Sequence, residues 1–95
     1  MSNSKPTPID RVQIYPVTAA IWKNVNDDGK AFYSFTLDRS YKTENGQYES
    51  TNTFGLSDAL LLAKVADIVD SRVRKLYDAD RQAARTEANL DNDVA

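Results

Sequence analysis

Trp22-Lys23, Arg39-Ser-Tyr41-Lys42 and Tyr48 set aromatic rings beside cationic side chains. Flat π-faces stack on bases while lysine and arginine hold phosphates, so this pairing is the chemistry of a single-stranded nucleic-acid contact. Each residue also has an ordinary structural use. A tryptophan is equally at home in a protein interface, and tyrosine or arginine at the edge of a core keeps its polar end in water. Asp38, Glu44 and Glu49 lie among these cations and lower the local positive potential.

Other chemistries are limited by what is missing. The chain has no cysteine and no histidine. Thiol nucleophiles, disulfides, zinc sites and Ser-His-Asp or Cys-His catalysis are therefore excluded within it. Carboxylates, lysine and tyrosine remain as acid–base groups, but no paired acids fall on one expected surface, so no catalytic residue is assigned. Asn24-Val-Asn-Asp-Asp-Gly29 imitates the start of a calcium loop, yet the bidentate acid due at its twelfth position is Phe35. Turn chemistry accounts for each residue there without a metal. No cofactor and no small-molecule substrate is indicated.

Ninety-five residues allow one small domain. From Arg11 to Leu76 nine basic residues face eight acidic ones, so the folded part is nearly neutral and carries no basic block. Residues 1–10 read as a disordered leader with no apolar segment, residues 11–85 as the domain, and residues 86–95 as a disordered acidic tail. No run is long and apolar enough to span a membrane, which makes a cytoplasmic protein the default expectation.

The elements that must position the candidate residues follow from period and punctuation. Arg11 to Val25 alternates as a strand, bent or interrupted at Pro16, with Val17, Ala19 and Ile21 on one face and Trp22 on the other. Asn26-Asp-Asp-Gly-Lys30 is a three-residue hairpin loop with Gly29 in the left-handed position, which sets Ile21 opposite Phe35 and Ala19 opposite Leu37. Ala31 to Lys42 forms the next strand. Asn45-Gly46 is a two-residue type I′ turn signal that pairs Tyr41 with Ser50 and Lys42 with Glu49. This register is preferred over a three-residue loop because it buries Phe54 with Leu37. It also places Arg39, Tyr41 and Tyr48 on the Phe35 face.

Ser57 has the chemistry of an N-cap, followed by Asp58 in the first turn. Leu61, Leu62, Val65, Ile68, Val69, Val73 and Leu76 then recur at helical spacing. The stripe is wider than one sheet contact needs, and Leu62, Val69 and Val73 form a flank suited to a second copy. A homodimer is expected on this ground and on the small core. The fold class is α+β: a three-stranded antiparallel meander, with room for a fourth short strand before Pro16, followed by one long helix.

Three segments resemble a family of small, functionally uncharacterised bacterial proteins. They are Ala19-Ala-Ile-Trp-Lys-Asn24, Tyr33-Ser-Phe-Thr-Leu-Asp-Arg-Ser-Tyr-Lys42 and Thr53-Phe-Gly-Leu-Ser-Asp-Ala-Leu-Leu-Leu-Ala-Lys-Val65. The family patterns are I-W-x-N, Y-x-V-x-F-x-R-x-Y-K and S-F-G-x-x-D-L-x-x-L-A-K-V. Leu56 and Ser57 depart from it, where members carry a basic and an acidic residue. The resemblance implies a shared fold and no mechanism. More distantly, a long-stranded meander followed by a helix is similar to the Whirly and positive-cofactor group of dimeric single-stranded DNA binders, which implies nucleic acid lying across a β-surface.

Overall fold

Both long hairpins turn on a glycine in the left-handed region, Gly29 at φ +80° and Gly46 at φ +84°. The computed structural model describes residues 6–93, with side chains through residue 86. At the first tip, Gly29 N–H donates to the Asn26 carbonyl (2.9 Å) and Asn26 N–H to the Lys30 carbonyl (3.0 Å). The Asn26 Oδ1 accepts from the Asp28 and Lys30 N–H groups. This is the expected loop, and Ile21 faces Phe35 and Ala19 faces Leu37 as the hydrophobic pattern requires.

The second tip corrects the sequence reading. Thr43 N–H donates to the Gln47 carbonyl (2.7 Å) and Gly46 N–H to the Thr43 carbonyl (3.0 Å), closing a three-residue loop. Tyr41 therefore faces Glu49, and Lys42 faces Tyr48. Burial of Phe54 does not set this register. The strand ends at Thr51, and Phe54 reaches the core from the connection beyond it. Shifting by one residue reverses the face of every side chain on the short strand, so Tyr48 lies opposite to the Phe35 face.

Pro16 divides the first strand rather than bending it. β1 (Asp10–Ile14) pairs antiparallel with β2 (Val17–Val25) across a turn at the cis Tyr15–Pro16 bond. The sheet continues through β3 (Ala31–Lys42) and β4 (Tyr48–Thr51) in the order β1-β2-β3-β4, so the meander has four strands. Asp10, placed in the leader by composition, begins β1, and Ile9 N–H already bonds to the Ile21 carbonyl (2.8 Å).

A single 3₁₀ turn, Leu56–Asp58, leads into α1 (Ala59–Asp93). The cap is Gly55 and not Ser57. Gly55 N–H donates to Asp58 Oδ2 (3.0 Å) while Asp58 N–H donates to the Gly55 carbonyl (2.9 Å), so the acid three residues on does the capping. The helix continues past Arg85 to Asp93, through most of the stretch expected as a tail. Thirty-five residues make it roughly 52 Å long at the usual rise per residue. The radius of gyration is 18.3 Å, against about 12 Å for a compact chain of this size.

Val65 and Val69 on α1 pack against Val12, Val17, Ala19 and Ile21, all buried. Ile14, Leu37, Phe54, Leu61, Leu62, Ile68, Val73 and Leu76 surround them. Val69, assigned by its place on the stripe to a flank free for a second copy, is 2% exposed and belongs to the chain's own core. Arg72 reaches off the apolar arc to Asp10 Oδ2 (3.0 Å) and the Arg11 carbonyl (3.2 Å), fastening β1 to the helix. Arg74 and Asp70 form the expected i,i+4 pair at 2.9 Å.

Candidate nucleic-acid interface

α1 packs on one face of the sheet, and strand pairing sorts the candidate residues between that face and the other. Residues directly opposite each other in antiparallel strands project to the same side. Ile21 and Phe35 point to the helix, so their neighbours Trp22 and Ser34 point away from it. By the same alternation Phe32, Thr36, Lys42 and Tyr48 lie on the face away from the helix. Lys23, Arg39 and Tyr41 lie on the helix side.

On the uncovered face, Trp22 is half-buried, and its indole N–H donates to Thr36 Oγ1 (3.1 Å), which fixes the ring on the sheet. Asn24 Nδ2 donates to Ser34 Oγ (3.2 Å) beside it. Phe32 is 44% exposed and Tyr48 63%. Phe32 sits diagonally across the strand pair from Trp22, within reach of one aromatic ring from another. Lys42 and Tyr48 form a cross-strand pair at the far end. Eight residues of β3 separate Lys42 from Ser34, the partner of Trp22, about 27 Å at the usual strand rise. Between them lie Thr18, Thr36 and Ser40, whose hydroxyls can donate or accept, and Ala20, with Asp38 the one acid on β3's share of the surface.

The remaining candidates are engaged elsewhere. Arg39 Nε lies 3.4 Å from Asp58 Oδ2 and donates to the Thr53 carbonyl at 3.4 Å, tying β3 to the helix start. Tyr41 donates its hydroxyl to Glu49 Oε1 (3.0 Å), and that bond raises the phenol pKa. Lys23 borders an open cleft of about 580 Å³ between the first hairpin tip and α1, shared with Lys30, Asp80 and Arg81. Trp22, Lys42 and Tyr48 thus share one face; Lys23, Arg39 and Tyr41 do not join them.

Two features were not singled out from sequence. Phe32 adds an aromatic ring beside Trp22, and its place one residue before Tyr33 in an alternating strand already carried that signal. The other is a cluster bridging β3 to α1. Tyr33 and Tyr77 meet edge to face, with centroids 4.9 Å apart at 87°. Tyr77 Oη accepts from the Tyr33 N–H (3.1 Å), and the Tyr33 hydroxyl donates to Asp80 Oδ2 (2.6 Å). The bond to the Asp80 carboxylate, reinforced by burial, pushes the Tyr33 phenol up to about 12.

Among the described residues no group of His, Cys, Asp or Glu is placed to hold a metal ion, and no helix is long and apolar enough to cross a membrane. The Asn24–Gly29 segment uses Asn26 Oδ1 for turn N–H groups. No family model matches the chain, nor does any curated protein or solved structure.

Proposed function

We propose that the uncovered face of the sheet binds single-stranded nucleic acid, and that the protein is a non-enzymatic binding module of the cytoplasm. The observation that carries this reading is Trp22, held by Thr36 on a face that no other element packs against among the described residues, with Phe32 beside it and Lys42 and Tyr48 further along. Aromatic rings on an open sheet can stack on unpaired bases, each worth about 1–3 kcal/mol. The hydroxyl groups between them can bond to bases or sugars. Lys42 on β3 and Arg11 on β1 are the strand cations on this face, so phosphate contacts are few and micromolar affinity with modest salt dependence follows.

Anisotropy of labelled mixed-sequence oligonucleotides at low salt tests the reading. Trp22→Ala, Tyr48→Ala and Lys42→Ala weaken binding, whereas Arg39→Ala and Tyr41→Ala leave it unchanged. Absence of binding by the unaltered protein removes the proposal.

The second reading is a homodimeric protein-interaction or scaffold module without nucleic-acid binding. The exposed apolar side chains off this face favour it: Leu56 at 96%, Leu60 at 85% and Phe35 at 46% exposure.

A further inference from the structure

Backbone groups on β3 alternate in direction. Ser40 N–H points toward the β1–β2 side and bonds to the Pro16 carbonyl (2.9 Å), while Thr43, just past the strand, bonds outward to Gln47 (2.7 Å). Odd-numbered residues of β3 therefore face the outer edge. β4 covers that edge only from Arg39 to Lys42, and the Tyr77 hydroxyl takes the Tyr33 N–H. Between these two points the outward N–H groups of Phe35 and Leu37 have no partner among the described residues.

Open edges in soluble proteins ordinarily carry lysine, proline or an inward-pointing charge that discourages pairing. Ser34-Phe-Thr-Leu37 carries none of these. Alongside the edge runs an apolar groove of about 320 Å³, lined by Phe35, Ala66, Val69 and Val73, with Asp70 at its rim.

We infer that a second copy of this chain seals this edge, the two β3 strands pairing antiparallel about a two-fold axis near Phe35. Self-pairing gives each free N–H of Phe35 and Leu37 a carbonyl on the copy, and the copy's Leu37 carbonyl competes with the Tyr77 hydroxyl for the Tyr33 N–H. The cross-strand neighbours on the helix side are then Tyr33, Phe35 and Leu37 of each copy, apolar against apolar with no like charges opposed. A two-fold contact is closed, so the edge is consumed and no fibre propagates. The fold also needs the added burial. Its fully covered side chains are a short set of mostly valines, and small cores of this kind gain most from oligomerisation. This edge is separate from the Trp22 face, so the inference stands apart from the nucleic-acid reading.

Sedimentation of the full chain across the micromolar range tests it, with Phe35→Lys as the edge variant and Val25→Lys as a control on an exposed residue at the first hairpin tip. The unaltered protein and Val25→Lys form a dimer, and Phe35→Lys raises the dimer dissociation constant at least about tenfold. Amide hydrogen exchange of the unaltered protein gives a reading free of folding effects: the Phe35 and Leu37 amides become protected as concentration rises. A monomer throughout, a dimer indifferent to Phe35→Lys, or edge amides that exchange freely in the dimer overturns the inference.

Discussion

The Tyr33 hydroxyl lies 2.6 Å from Asp80 Oδ2, joining the hairpin-tip end of β3 to a helix position 47 residues further along the chain. The bond sits beyond the buried valines of α1, where the apolar face of the helix thins, and holds that part of the helix to β3. Tyr33→Phe keeps the ring against Tyr77 and removes only the hydroxyl, so denaturant unfolding should register a loss of about 1–2 kcal/mol. Asp80→Asn should cost a similar amount, and the double variant little more than either, because both remove the same bond.

The same pair gives the protein an alkaline limit. In the folded chain the Tyr33 phenol titrates near 12, above its ordinary value of 10.0. Above the ordinary value the unfolded chain releases this proton while the folded chain keeps it, so the stabilisation present at neutral pH is lost as pH rises from 10 to 12. Thermal melts across that window should show a fall that is smaller in Tyr33→Phe. Phenolate absorbance should reveal a late-titrating tyrosine that is absent from Tyr33→Phe.

Gly29 separates backbone cost from steric cost. A Cβ there meets nothing within 4 Å, yet φ is +80°. Gly29→Val should therefore destabilise by about 1 kcal/mol or more through conformation alone. Gly29→Asn, which tolerates the left-handed region, should recover most of the loss in a chemical-denaturation series.

Arg39 was a phosphate candidate from its neighbours in sequence, and its geometry gives it a structural task. Arg39→Gln should lower stability by up to about 1 kcal/mol, the ordinary worth of a partly exposed pair. It should leave oligonucleotide affinity unchanged.

The hairpin at Asn26–Lys30, the Val17-Ala19-Ile21 face and the amphipathic helix were legible because each rests on local periodicity or a turn with one dominant chemistry. The second hairpin was not, since Asn45-Gly46 fits both a two-residue turn and the end of a three-residue loop. The apolar pattern suits burial of Phe54 from within the strand, whereas the chain leaves the ladder at Thr51 to bury it. That one-residue difference moved Tyr48 to the open face. Trp22 and Lys42 were placed by alternation alone. The ties that occupy Arg39 and Tyr33 run to Asp58 and Asp80 on another element, and no spacing along the chain encodes such contacts.

The resonance of the Trp22 indole N–H, bonded to Thr36, reports directly on the open face. Titrating the protein with a short single-stranded oligonucleotide at low salt should shift that proton together with the ring protons of Phe32 and Tyr48. The ring protons of Tyr33 and Tyr41, on the opposite face, should stay in place. Unmoved Trp22, Phe32 and Tyr48 signals at saturating oligonucleotide, or shifts confined to the helix side, would contradict the assignment of this surface to nucleic acid.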